Sequence, residues 1–489
     1  MLNETGGFPM AWGRCLLYRN LLATAATVLM GSFANEPVRA ADLGGDCCAD
    51  LEERVAELEA TTVRKGNKKV SITLYGDVNH QVLFWDDGIE TNAYVENNSY
   101  KTSRFGLKGT AKVGGEWTSG YRLEIENRIA RSRDLDQFDD DNADDPNGPL
   151  FVRHSWIYLA NKKYGEARLG LTWSPKDDIT KDTHVLEQLV DTMHSDFFNS
   201  QSFFLVSKLV PGNSEALTAG QFGGKAIRFI DLARCYSTSS ALFDCSTRRN
   251  MAVYVTPVWY GFWFNVGYGE DDIWSASARF KKDWDTWKVG AGVAYEQFTD
   301  EQVQNGAGGV PFQDFRRDLR EWAGEASVLH KPSGLWANFS WTFSEDRDSN
   351  TINAGIFDGK SAPDMFAWDI SGGIQKKWWD LGNTTLWGGY TNSTDGIGGF
   401  VSPLFGANPG RSLRANSIPG IGITTEVTGS EVTKWYLAAD QSIDSAALDL
   451  YIGYQHITPE IDLIDLARKR VNAPLEDFDL VFTGARIYF

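Results

Sequence analysis

The chain has 489 residues and a formal net charge of −18, with 13% aromatic residues, 48 Gly and only 15 Pro. An acid excess of that size argues against nucleic acid as a partner and leans any solvent-filled interior toward cations. The Gly and aromatic content suits many short strands, tight turns and interfacial rings.

Residues 1–40 read as an export signal. Arg14 and Arg19 form a basic region, the apolar run from Leu21 to Met30 is too short to span a bilayer, and Val38-Arg39-Ala40 fits the small-residue cleavage rule. Past this leader no stretch approaches the ~18 consecutive apolar residues of a membrane helix. The mean hydropathy of −0.32 suits a soluble protein. A membrane barrel, however, shows lipid only every second residue and averages out as polar.

Residues 41–68 form a periplasmic segment that begins with the vicinal pair Cys47-Cys48, strained if bonded to itself and open to linking chains or staying reduced. Leu51, Val55 and Leu58 fall at i, i+4 and i+7, which predicts a short amphipathic helix with an acidic outer face. About three turns are too few to stand alone. Threefold self-association and docking on a rim both meet that need.

From Val70 the pattern has period two, and the spacing predicts sixteen strands. They fall at 69–85, 100–113, 118–131, 150–160, 165–174, 248–256, 260–269, 272–283, 286–298, 317–330, 334–344, 363–378, 382–392, 430–441, 445–457 and 477–489. Short turns alternate with long loops, as in an all-β, transmembrane antiparallel β-barrel with one end in the periplasm. Residues 69–489 make up this barrel, with an inserted loop at about 175–247. A strand at Ala226–Leu232 inside that loop is one option, and a whole hairpin there would raise the count to eighteen. Cys235 and Cys245 lie ten apart in the loop, and an oxidising compartment favours a disulfide between them. The chain ends on Phe489, in phase with Ile487 and Ala485 and opposite Arg486, so the last strand is expected to pair with the first.

A barrel this wide leaves an aqueous lumen, and its function depends on the charges that narrow it. Alternation turns Arg104 and Lys108 inward on one strand, Arg122, Glu124, Glu126 and Arg128 on the next, then Arg153, then Arg168. These basic residues are the expected wall of a constriction, since a guanidinium stays protonated at any relevant pH. The following loop supplies the expected acidic side: Asp177, Asp178, Asp182, Glu187, Asp191 and Asp196. Trp85, Tyr121, Trp156, Trp173, Trp263 and Trp341 read as interface belts and lipid-facing rings. No nucleophile elbow, phosphate-cradling glycine motif or zinc spacing stands out around the six histidines, so neither an enzyme nor a metal or cofactor site is expected.

Several stretches resemble the alphaproteobacterial porins and, more distantly, the general trimeric porins. They are Cys47-Cys48 with the short helix, Lys69–Asp87, Ser103-Arg104-Phe105-Gly106-Leu107-Lys108-Gly109, Arg168-Leu169-Gly170 before a long loop, and Phe489. The resemblance spans most of residues 41–489. It implies a homotrimeric outer-membrane barrel of sixteen strands whose third external loop folds inside as an eyelet. It also implies that the Phe489 strand is the signal read by the barrel-assembly machinery. The surroundings would then be outer-membrane lipid and lipopolysaccharide. The expected function is passive diffusion of small hydrophilic solutes and ions. Two rivals remain: an envelope protein tethered to peptidoglycan by residues 46–62, and a secreted β-sandwich that binds carbohydrate.

Overall fold

The computed structural model describes residues 69–141, 148–177, 179–186, 201–208, 228–233, 248–269, 272–299, 318–347, 363–396, 414–415, 425–465, 467 and 469–489. The leader, Cys47-Cys48, the helix expected near Leu51–Leu58, Cys235 and Cys245 lie outside these residues.

Sixteen long strands form the wall. The first eight are β1 (Thr73–Asp86), β2 (Arg104–Gly114), β3 (Trp117–Asn127), β4 (Leu150–Asn161), β5 (Gly165–Trp173), β6 (Arg248–Val255), β7 (Phe262–Gly269) and β8 (Ile273–Asp283). The rest are β9 (Trp287–Thr299), β10 (Asp318–His330), β11 (Leu335–Asp346), β12 (Met365–Trp379), β13 (Gly382–Thr394), β14 (Thr425–Ile443), β15 (Leu448–Asp465) and β16 (Phe478–Tyr488). Each pairs antiparallel with its neighbours in chain order. The count matches the sixteen expected from period and parity, not eighteen. The loop interval contributes no membrane hairpin among the described residues, and Phe229–Leu232 is a helical turn where a strand had been an option.

β1 and β16 close the sheet in register from Asp77 opposite Tyr488 to Asp86 opposite Asp479. The pairing runs to the last residue: Gly76 N–H donates to the Phe489 carbonyl at 2.9 Å, and Phe489 N–H to the Gly76 carbonyl at 3.0 Å. Among the described residues no strand edge is left facing lipid. Closure rules out the β-sandwich.

Alternation decides which side chains meet lipid. On β7 the exposed residues are Phe262, Phe264, Val266 and Tyr268, while Trp263, Asn265 and Gly267 take the other face. The second position in the wall is interrupted. A short strand, Thr91–Asn97, pairs with the upper half of β1 and β2 pairs with the lower half. Between them Asn98–Ser103 turns inward, where Asn98 donates to Gln81 Oε1 at 2.8 Å and to the Tyr451 hydroxyl at 3.0 Å.

The largest buried apolar cluster lies inside the barrel. Leu83 and Trp85 of β1, Phe478, Leu480 and Phe482 of β16, and Tyr436 of β14 enclose Phe203, Leu205, Phe229 and Leu232 of the long loop. Trp85 meets Phe203 with ring centroids 5.3 Å apart, and Phe203 meets Phe478 at 4.8 Å. Dry packing of this kind needs apolar residues on the inward phase, which a bare water-filled lumen would not supply.

Candidate functional site

The inward faces of β2–β5 bring the expected basic residues together, but around carboxylates of their own wall. Glu124 Oε2 takes Arg122 at 2.6 Å, and its Oε1 takes Arg153 at 3.0 Å and Arg104 at 3.6 Å. Glu126 is bonded by Arg153, by Arg131 at 3.3 Å and by Arg128 at 3.5 Å. Both carboxylates are buried beneath the guanidinium groups. Tyr75 joins the set, accepting from Arg122 Nε at 2.7 Å and donating to Glu124 Oε2 at 2.9 Å.

A bulge explains why β4 alternates poorly. The β3–β4 register runs from Glu124 opposite His154 to Ile125 opposite Val152, so Arg153 is the extra residue. The displaced backbone turns Arg153 and His154 to the same side. His154 packs against Trp173 with the rings tilted and centroids 4.1 Å apart, and the Arg122 guanidinium lies 4.6 Å from the Trp173 ring centre. Trp173 therefore faces the lumen, contrary to the strict period-two reading. Trp156 does too, with Arg168 stacked 5.0 Å from its ring centre. Trp263 lies opposite Arg279, on the inward side of β7, and Trp85 is fully buried under the loop. Tyr121 and Trp341 keep the outward phase. Arg168 pairs with Glu166, while Lys108 sits 5.3 Å above the Tyr75 ring.

The loop after β5 goes elsewhere. A single helical turn, α1 (Ile179–Asp182), packs against β9 and β10 on the far inner wall. Asp182 pairs with Arg279 of β8, whose Nη2 also donates to the carbonyls of Pro175 at 2.8 Å and Asp177 at 3.0 Å. Lys176, fully buried, places Nζ 2.6 Å from Glu321 and 3.7 Å from Glu296. Ser327 Oγ accepts from Val185 N–H at 3.1 Å and donates to the Thr183 carbonyl at 3.2 Å. The loop lies so close that a Cβ on Gly290 would collide with the Thr183 carbonyl, and one on Gly292 would sit 2.7 Å from Ile179 Cδ1. The arc and Asp182 thus sit on different walls, each with its own counterions. Asp178, Glu187, Asp191 and Asp196 lie outside the described residues.

Further along, the loop reaches the wall near the seam. Phe204 N–H donates to Gln137 Oε1 at 2.9 Å, Glu476 N–H to the Val206 carbonyl at 2.8 Å, and Ser430 Oγ to the Leu232 carbonyl at 3.2 Å. Arg228 reaches Asp136 at 3.2 Å, and burial still lifts that carboxyl above its ordinary range, despite the Phe138 N–H and the Arg228 charge.

Lys176, Arg279, Glu296 and Glu321, which hold the loop, were not among the expected site residues; the inward phase of Arg279, Glu296 and Glu321 on their strands was the signal that could have found them. Arg131 was missed because the expected strand ran to 131, whereas β3 ends at Asn127 and alternation does not extend into the turn.

A closed barrel of sixteen strands with a charged interior, crossed inside by a loop from its own wall, is the architecture of a membrane channel. Residues 25–460 match the family model described as Gram-negative porin, and the chain belongs to that family. It is an outer-membrane porin, forming a water-filled channel for passive diffusion of small hydrophilic solutes and ions. No curated protein matches the chain. Similar solved structures include an anion-selective porin from Comamonas acidovorans, 17% identical with a TM-score of 0.49, covering 86% of this chain and 100% of that one. OmpT of Vibrio cholerae in its trimer form is 15% identical with a TM-score of 0.46, covering 86% and 100%. OmpF of Salmonella typhi in complex with daunomycin is 12% identical with a TM-score of 0.42, covering 87% and 100%.

Proposed function

We propose that the passage is narrowed by the loop after β5 and bounded on its other side by the arginine arc of β2–β5. Solutes are then sorted by size and by the charge they meet there. The observation that carries this reading is the seat of Pro175–Leu186 on the inner face of β8–β11, held by Lys176 and Arg279. A loop fastened inside the barrel occupies volume that solutes would otherwise use. Replacing residues 176–247 with a short Gly-Ser turn should raise single-channel conductance in planar bilayers and admit larger sugars in liposome swelling. Unchanged conductance and unchanged size limit would overturn the constriction.

The chain is proposed to act as a homotrimer, contacting its copies through the outer face of β1–β5. That face exposes Leu74, Val78, Leu123, Ile157, Leu159 and Leu169. The outer face of β7–β12 is richer in exposed aromatic rings, among them Phe264, Tyr268, Trp274, Trp322, Phe339 and Phe366, as suits lipid and its interfaces. Cross-linking in native membranes tests this, and a monomer alone would refute it. Phe489, exposed at the seam, is the proposed address for the assembly machinery. The stretches Ser103–Gly109 and Arg168–Gly170 support an alphaproteobacterial member of the family.

A further inference from the structure

We propose that His80, on the outer face of β1, is one half of a polar contact between copies of this chain, completed by Ser155 on the outer face of β4 of a second copy. The inference rests on the reading of the β1–β5 face as the subunit interface. It adds to that reading the side chains that make the contact and a response to acid.

Alternation fixes where His80 points. Asn79 and Gln81, on either side of it, face the lumen, where both accept from the Tyr451 hydroxyl. His80 therefore stands on the outer side with Val78, and both are exposed. It lies four residues in from Gly76, which bonds to Phe489, and six from the external end of β1 at Asp86. That depth falls inside the apolar band of a barrel wall, away from either interface. Across the seam His80 meets Ala485, and its neighbours along the outer phase are Val78 and Val82. On its other side lies Asn97, whose side chain is buried, donating to the Asn127 carbonyl and accepting from Ser103. The nearest charged side chains on the outer phase of β1 and β16, Asp86 and Asp479, stand six residues further out.

Ser155 repeats the situation on β4. His154 and Trp156 beside it face the lumen, so its hydroxyl points outward, exposed between Leu123 of β3 and Leu171 of β5. Neither His80 nor Ser155 makes a side-chain hydrogen bond or ion pair among the described residues. A polar side chain facing hydrocarbon leaves donor and acceptor unmet, and a neighbouring subunit can meet them. On β7–β12, by contrast, outward lysine, arginine and histidine stand near strand ends, at Lys282, Arg320, His330 and Lys376.

A threefold ring joins unlike patches, since each copy offers one surface to the copy before it and another to the copy after. β2 and β3 separate His80 from Ser155, so one copy cannot join the two by itself. An imidazole N–H donating to the hydroxyl, or its bare nitrogen accepting from it, satisfies both groups. A protonated His80 would seal a cation into an apolar contact with no carboxylate beside it, so acid loosens the assembly.

The test uses the full-length porin extracted as its native assembly in mild detergent. A variant carrying both His80→Cys and Ser155→Cys should, on oxidation, give linked chains beyond those of the parent, and each single variant should not. Linkage by His80→Cys alone would mean that like patches meet, and would overturn the pairing. Thermal dissociation of the parent assembly should run about tenfold faster at about pH 5 than at about pH 8. His80→Leu, which keeps the contact apolar and cannot titrate, should stay assembled at both and lose that dependence. If the double cysteine variant fails to assemble, the pH comparison decides. A parent assembly indifferent to pH, a dependence retained in His80→Leu, or an assembled double variant that never links would overturn the inference while leaving the trimer in place. A chain that is monomeric in native membranes would instead refute the interface on which the contact rests.

Discussion

The inner walls at β2–β5 and at β8–β11 use the same charge chemistry with different burial. At β8–β11 the charges meet another part of the chain: Lys176 of the loop sits between Glu296 and Glu321, and all three side chains are 0% exposed. At β2–β5 Glu124 and Glu126 are nearly as deeply buried, yet the Arg122 side chain over Glu124 stays 24% exposed. A buried pair is dry, costly to break and fixed in place. A half-open cluster stays hydrated enough to exchange its solvent for a passing ion. Coverage by the loop, more than residue type, separates the fastened wall from the one proposed to border the passage.

The sharpest way to break this contrast is Lys176→Met, which leaves Glu296 and Glu321 buried without the ammonium that bonds them. Removing one partner of such a set costs about 3–5 kcal/mol. The unfolding midpoint in detergent should fall accordingly, and single-channel current should gain frequent substates as the loop loosens. An unchanged midpoint with quiet current would show that the loop is held by other means. Replacing Lys176, Glu296 and Glu321 together by apolar residues should recover most of the loss, because no orphaned charge remains. Gly290→Val attacks the same contact sterically. Its side chain would enter the space of the Thr183 carbonyl, at a cost of about 1–3 kcal/mol. Native stability in that variant would mean the loop stands off from β9.

The barrel was legible because its signal repeats. Period two, turn residues and parity recur at every hairpin, and a terminal strand ending on Phe489 demands a partner at the other end. The arginine arc was legible for the same reason, since alternation alone assigns Arg104, Arg122 and Arg168 to the lumen. What the loop does was not legible, because a long irregular segment carries no period. Proximity in sequence placed its acids beside the arc, whereas Arg279, about a hundred residues on, takes Asp182. The aromatic error has the same origin. Trp85, Leu480 and Phe482 sit on inward phases, and their apolar character is explained only by the loop segment around Phe203 and Phe229 that covers them. A strand apolar on both phases, as in Asp479-Leu480-Val481-Phe482, was the available sign of a covered inner face.

A milder perturbation follows at Arg279. Changing it to Lys keeps a cation for Asp182 but cannot also span the carbonyls of Pro175 and Asp177. The expected loss is about 1–2 kcal/mol, less than for Lys176→Met because the lysine keeps a cation beside Asp182 and no buried charge is orphaned. A loss as large as that of Lys176→Met would mean that Arg279 is the main fastening of the loop.

The smallest effect is expected where a charge pair has neither burial nor a loop over it. Lys377 Nζ lies 3.4 Å from Asp444 at the short-turn end, with both side chains more than half exposed, at 53% and 61%. Water screens such a pair, and holding two long side chains together costs entropy that offsets most of the attraction. A double-mutant cycle with Lys377→Ala and Asp444→Ala should give a coupling of about 0.2–0.5 kcal/mol, vanishing at high salt. The Lys176 set should keep its coupling at the same salt, since a Debye layer does not penetrate a dry site. If both couplings fall together as salt is raised, the wall at β8–β11 is wet. The distinction between a fastened wall and a conducting one would then have to rest on geometry alone.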